Sequence, residues 1–224
     1  MNTFTAEITM RTAAVQLFQA SELTGAVLER AREWYRNGMD FDANLEPYET
    51  TANLLGIELD SRTIPLMNGK TRQEPAILYS GFYSQGDGAS FTGRYGYVKG
   101  SVKAIKAEFP TDEKLHRIAE GLAELQRKYS YRLKATVTQS GNYVHKYTMD
   151  IEDVCRSDWR SGQDVEIENE YDQKALLELM RDFAQWIYDG LEEEHEYQMS
   201  DESVDDTLAA NEYEFTADGK RFVA

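Results

Sequence analysis

Cysteine is almost missing from this sequence: Cys155 is the one thiol in 224 residues. A single cysteine cannot cross-link a chain internally, so a disulfide scaffold is excluded and a reducing compartment is expected. It also supplies little to a structural zinc site, which needs several Cys, His or carboxylate ligands. Histidine is scarce too. His116, His145 and His195 stand far apart, and no two form an H-x-H pair or fall at i, i+4. No apolar run approaches the roughly 20 residues that span a bilayer. The opening residues, MNTFTAEITMRTAAVQLF, lack a basic stretch leading into an apolar one, as a secretory signal would have. The expectation is a cytoplasmic protein with no membrane partner. Internal repeats and low-complexity linkers are absent as well.

Acid, by contrast, is abundant. Forty acidic side chains face 24 basic ones, a net charge of −16. The surplus is localised. Residues 1–150 hold 18 acidic and 18 basic side chains, whereas residues 151–224 hold 22 and 6. Such a block attracts basic surfaces and repels phosphates, so direct nucleic-acid binding through this third is not expected. The apolar fraction of 41% is high enough for most of the chain to fold. Tyrosine, at 14 the commonest aromatic, suits half-buried sheet faces and interfaces, and exposed Tyr and Trp are compatible with a homodimer.

Periodicity suggests the elements. Thr3 to Met10 alternates apolar and polar residues like a half-buried strand. A helix capped by Ser21 carries Leu23, Ala26, Val27, Ala31 and Trp34, and Asn37-Gly38 ends it. Pro47 suits the first turn of a short helix that Gly56 stops. Ile57–Asp60 reads as a strand and Ser61–Glu74 as a loop. Ile77 to Val98 carries two aromatic-rich runs around Gln85-Gly86-Asp87-Gly88, a hairpin signal. Gly81 and Gly93 fall within those runs, marking bulges or close backbone approach. A short helix from Ser101 to Phe109 precedes one capped by Thr111 or Asp112, with a stripe of Leu115, Ile118, Ala119, Leu122 and Leu125. A second hairpin turns at Ser140-Gly141-Asn142, and Arg156–Tyr171 reads as a polar loop. The last long helix runs from about Asp172, with Leu176, Leu179, Met180, Phe183 and Ile187 inward. Past Gly190 glutamates replace the apolar stripe. Ser200 or Asp201 caps a further short helix with Val204 and Leu208, and Asp218-Gly219 turns the tail.

These elements imply an α+β fold: an antiparallel sheet built from two β-hairpins, packed by helices, with an acidic C-terminal helical extension. The division expected is an N-terminal segment over 1–40 with no assigned role, an α+β core domain over 41–190, and an acidic extension over 191–224 packed on or beside the core.

No catalytic motif stands out. Gln85-Gly86-Asp87-Gly88 lacks the spacing of a P-loop or a calcium loop, and turn chemistry accounts for it. His145 reads as a partly buried histidine, Cys155 as a small structural thiol. Carboxylates clustered where an apolar stripe fades favour a solvated face over a glycosidase pair. Lys99, Lys103 and Lys106 are too few for a nucleic-acid patch in a balanced segment and are expected to face the chain's own acidic end. The reading is therefore no catalytic residue, no metal ligand and no cofactor. The candidate contact surface is acidic: Asp189, Glu192, Glu193, Glu194, Glu196, Asp201, Glu202, Asp205 and Asp206. The alternative surface is the aromatic hairpin at Tyr83, Gln85 and Asp87.

Three segments carry a resemblance: ILYSGFYSQGDGASF at the first hairpin, DEKLHRIAEGLAELQRKY between the hairpins, and ANEYEFTADGKRF in the tail. Over about Tyr48 to Phe222 the sequence resembles a family of phage and prophage proteins often labelled as antitoxins of a toxin–antitoxin stability system. The resemblance implies an accessory protein of mobile elements, working in a bacterial host's cytoplasm by binding another protein. The acid block then acquires a use. B-DNA carries one charge per roughly 1.7 Å of axis, and helix carboxylates at i, i+4 lie roughly 5–6 Å apart. An acidic helix thus approximates a phosphate row. The function expected is non-enzymatic neutralisation of a basic protein partner, either a toxin or a nucleic-acid-acting host or defence protein. The alternatives are a binding module working through the 77–98 hairpin, its acidic end only solubilising, and a hydrolase whose carboxylates the sequence does not single out.

Overall fold

Chain order alternates short strands with amphipathic helices. In this computed structural model residues 14–66, 68–158 and 160–223 are described. The alternating stretch Thr3–Met10 lies outside them. β1 (Leu17–Gln19) leads through a 3-10 turn (Ala20–Glu22) into α1 (Gly25–Gly38). α2 (Glu46–Leu55) ends at Gly56, whose φ of 87° turns the chain straight into β2 (Ile57–Leu59). β3 (Ser61–Pro65), β4 (Thr71–Pro75), β5 (Ile77–Tyr79), β6 (Ala89–Phe91) and β7 (Gly93–Tyr95) follow. Then come α3 (Ser101–Glu108), α4 (Glu113–Lys128), β8 (Leu133–Gln139), β9 (Met149–Ser157) and β10 (Asp164–Glu166). α5 (Glu170–Gln198), α6 (Asp201–Ala210) and β11 (Glu214–Thr216) close the order. The fold is mixed α+β.

The chain forms two compact units. Ala43–Glu193 makes the larger one, and Met1–Asp42 together with Glu194–Ala224 makes the smaller. In the larger unit β10, β9, β8, β7 and β2 pair in that order into one antiparallel sheet. On β8 Leu133, Ala135 and Val137 are buried while Lys134 faces water, the two-residue period of a one-sided sheet. The α4 stripe Leu115, Ile118, Ala119 and Leu122 is at most 2% exposed. α5 buries Leu176, Met180, Phe183, Ala184, Ile187 and Leu191 completely. Phe183 meets Phe91 edge-on at 5.6 Å and stacks on Trp186 at 5.7 Å. The Trp186 indole N–H donates to Asp112 Oδ2 at 2.6 Å, while Asp112 Oδ1 caps α4 by accepting from the Leu115 N–H.

Several expectations change. Ser61–Glu74 is not a loop: β3 and β4 form a hairpin from Ser61 opposite Pro75 to Pro65 opposite Thr71. Its strands carry no apolar alternation, because polar cross-strand contacts such as Arg62 with Glu74 and Gln73 with Thr63 support it instead. The polar stretch 156–171 likewise contains the end of β9 and all of β10. The helix expected from Ser21 begins at Gly25, with Ser21 inside the preceding 3-10 turn. In the aromatic hairpin β5 and β6 pair, with Ile77 opposite Phe91, but the loop spans residues 80–88, so Gly81 lies in a loop and not a strand. Gly93 does mark a close approach, since a Cβ there would sit 2.3 Å from the Glu58 carbonyl oxygen.

In the smaller unit β1 pairs antiparallel with β11, Phe18 opposite Phe215. Its core is Ala20, Leu23, Ala31, Val204, Leu208 and Phe215, drawn from both sequence ends. Trp34 packs edge-on against Tyr213 and Phe215 at 5.4 and 5.9 Å, and the Arg221 guanidinium lies over both Trp34 and Tyr213. The Asp218-Gly219 turn places Gly219 at φ 80°, 2.5 Å from the Val27 carbonyl oxygen if a Cβ were added. Among the described residues no helix is long and apolar enough to cross a membrane.

Candidate functional site

Helical spacing sorts the acid of the smaller unit. Ser200 caps α6 by accepting from the Ser203 N–H, and Asp201 and Glu202 in the first turn favour the positive helix end. Asp201 and Asp205 share one face, Glu202 and Asp206 the next. The first pair is engaged inside the unit. Arg32 of α1 grips Asp205 with two parallel bonds of 2.8 and 2.6 Å and reaches Asp201 at 2.6 Å. Arg36 also pairs with Asp201 and with Glu29, and donates to the Met199 carbonyl at 2.9 Å. The Arg32 hydrogen bond holds the Asp205 carboxyl below its ordinary range, against the opposing effect of burial. The carboxylates in turn raise the Arg32 pKa.

The second pair is open. Glu202 and Asp206 are exposed and make no ion pair within the described residues, and the same holds for Glu196. Glu194 accepts from the Gln198 amide at 3.2 Å. In the larger unit Asp189 pairs with Lys114 and accepts from Gln185 at 2.7 Å. Glu192 is half-buried. Burial raises the Tyr188 pKa, and the Glu192 charge adds to that. Glu193 is exposed. The nine carboxylates are therefore not equivalent: Asp189, Asp201 and Asp205 are engaged in ion pairs, whereas Glu196, Glu202 and Asp206 make none within the described residues.

The hairpin residues also separate by role. Asp87 organises its own loop, its Oδ2 accepting from the backbone N–H groups of Tyr83 at 3.1 Å and Ser84 at 2.7 Å. Gln85 is exposed, and Tyr83 is 80% exposed. Phe82 stacks on Tyr188 at 5.7 Å, and the Tyr188 hydroxyl donates to the Gly81 carbonyl at 3.1 Å. A second loop packs beside this one. Ser80 donates to the Val144 carbonyl at 3.2 Å, and a Cβ on Gly88 would lie 2.8 Å from that of His145. His145 caps the turn after it, its Nδ1 accepting from the Tyr147 N–H. The loop pair thus displays Tyr83 with Tyr143 and Tyr147, which are 77% and 67% exposed. The alternation of Tyr143, His145 and Tyr147 reads as the returning strand of the second hairpin, but β9 starts only at Met149, so both tyrosines lie in the connection. Their Ser-Gly-Asn-Tyr surroundings were a usable signal, since rigid tyrosines among small polar residues are typical of adaptable binding loops.

The remaining candidates have plain structural roles. Burial pushes up the pKa of the half-exposed Cys155 thiol, with Asp164 adding to it, the opposite of an activated nucleophile. Lys106 pairs with Glu120 of α4 at 2.6 Å, because α3 and α4 are neighbours. Among the described residues no group of three or more His, Cys, Asp or Glu is placed to hold a metal.

Residues 41–201 match the model of a protein family described as a domain of unknown function (DUF8835). The match takes in the whole larger unit and stops at the first residue of α6, leaving the tail segment ANEYEFTADGKRF outside it. No curated protein and no solved structure matches the chain.

Proposed function

The chain belongs to the DUF8835 family, and from that premise we propose that it is a non-enzymatic accessory protein that binds and neutralises a basic protein partner in a bacterial cytoplasm. One observation carries this reading: α6 keeps Glu202 and Asp206 exposed and unpaired one turn apart, while its neighbouring face is satisfied by Arg32 and Arg36. The Arg32–Asp205 fork is the kind of contact an arginine-rich partner would make with the open acids. The smaller unit is also the more acidic per residue. It holds 15 acidic and 6 basic side chains in 73 residues, against 25 and 18 in the 151 of the larger unit. Resemblance to the phage and prophage proteins labelled as antitoxins favours a toxin, or a nucleic-acid-acting defence protein, as the partner.

The test is a pull-down from host lysate with the full chain, beside a variant carrying Glu194→Gln, Glu196→Gln, Glu202→Gln and Asp206→Asn. A basic protein captured by the wild type should be lost from the variant and fall about tenfold or more between low and high salt. Equal capture by both proteins at both salt levels would overturn the acidic surface.

A second reading rests on the loop pair. Tyr83, Tyr143 and Tyr147 place large exposed rings on adjoining loops, and tyrosine is enriched among residues that dominate binding energy. It expects capture to survive the four acid substitutions and to be lost in Tyr83→Ala with Tyr143→Ala.

A further inference from the structure

The larger unit holds a cavity of about 550 Å³ that neither binding surface uses. It opens between the end of α2, the segment leaving β7, the start of α3 and the later turns of α4, with Tyr131 beyond. Leu55, Val98, Val102 and Leu122 give it apolar walls. Tyr97 and Tyr131 stand at it 44% and 47% exposed, their ring centroids 4.9 Å apart and tilted by 45°. Ser130 and Tyr131 both take positive φ, 55° and 61°, a backbone that non-glycine residues adopt only at a conformational cost.

The charged lining is all of one sign. Lys103, Lys106 and Arg127 line the cavity, and no Asp or Glu does, in a chain of net charge −16. Glu120 compensates Lys106, but Lys103 and Arg127 make no ion pair within the described residues. Gly100 supplies no side-chain cap to α3.

We propose that this cavity binds a small amphipathic anion. Lys103 and Arg127 take its phosphate or carboxylate, and its apolar body lies against Val98, Leu122 and the rings of Tyr97 and Tyr131. Cavities of roughly 300–1,000 Å³ with apolar walls and a few convergent polar groups are the usual sites for such molecules. The occupant is a small molecule, because the site is a concave cavity of about 550 Å³ with largely apolar walls.

Fluorescence titration of the full chain with 8-anilinonaphthalene-1-sulfonate, a compact aromatic anion, tests this. The wild type should show saturable one-to-one binding. Lys103→Glu with Arg127→Glu should weaken it about tenfold or more, as loss of charge-assisted contacts does. Lys99→Glu, which alters the net charge outside the cavity, should leave it within about twofold. Lys103→Gln with Arg127→Gln repeats the comparison without charge reversal should the first variant fold poorly. Adenosine monophosphate and octanoate are then tried as competitors: displacement by the first assigns an aromatic phosphate, by the second an aliphatic carboxylate. Unsaturable binding, equal weakening by Lys99→Glu, or displacement by neither competitor at millimolar concentration would overturn the proposal. The acidic surface plays no part in this readout, so the two readings fail separately.

Discussion

In the larger unit α5 sinks Leu176, Met180, Phe183, Ala184 and Ile187 fully against the rest of its core. In the smaller unit six buried residues among those described form a core that partly buried aromatics such as Trp34 and Tyr213 flank, and α1 is tied to α6 by Arg32 and Arg36 on Asp201 and Asp205. Burying a large apolar side chain contributes about 1.5–3 kcal/mol, whereas ion pairs open to water contribute about 0–1 kcal/mol each. The larger unit therefore rests on area and the smaller on a few contacts plus charge. The same acid that serves as a proposed contact surface is, one helical face over, part of what holds the smaller unit together.

That contrast can be broken at Phe215. Phe215→Ala removes the largest fully buried side chain of the smaller core and should cost about 3–5 kcal/mol. Calorimetry should show the smaller unit melting at lower temperature while the transition of the larger one stays; a uniform shift of all unfolding would contradict the two-core picture. Arg32→Met keeps the stem but leaves Asp205 without its fork and Asp201 with Arg36 alone, and should cost the smaller unit about 1 kcal/mol in a denaturant titration.

Two helix glycines sharpen the packing side of the comparison within the larger unit. Gly190→Ala on α5 would place its methyl 2.7 Å from the Tyr48 hydroxyl and 3.1 Å from the ring, and that ring is buried beside Trp186. It should destabilise by about 1 kcal/mol despite the better helix propensity of alanine. Gly121→Ala on α4 meets only the end of the Leu179 side chain, which can swing aside, so it should stabilise by about 0.5 kcal/mol. Opposite signs in thermal melts are the check.

The smallest effect concerns pH. Asp205 titrates below its ordinary 3.8 because Arg32 hydrogen-bonds its charged form. Its contribution is fully present above the ordinary value and is lost as pH falls through the lowered one. Asp205 is 40% exposed, so solvent screening limits the loss to less than ~1 kcal/mol. Melting from pH 6 down to pH 2 should show this drop in the smaller unit, and Asp205→Asn should abolish that part of it.

Much of the fold was legible in the linear pattern. The stripes on α4 and α5 are strict at helical spacing, and Gly56, Asp112 and Ser200 act at helix ends as their chemistry requires. The β3–β4 hairpin was not legible, because polar strands carry no alternation to read. The candidate surface was half legible. Composition located the acid, but Arg32 and Asp205 are 173 positions apart, and no local rule pairs them. The loop pair escaped for the same reason, since Gly88 and His145 meet only after both hairpins are in place.

By itself, then, the sequence determined the amphipathic helices, the α+β class and the location of the acidic surplus, because periodicity, caps and charge are properties of neighbours along the chain. Tertiary structure alone decided three other things. It brought the two sequence ends into one small core, chose which carboxylates are neutralised by α1, and walled a cationic, acid-free cavity between α3 and α4. Each depends on side chains far apart in sequence becoming neighbours, and burial and pairing, unlike propensity, exist only after they do.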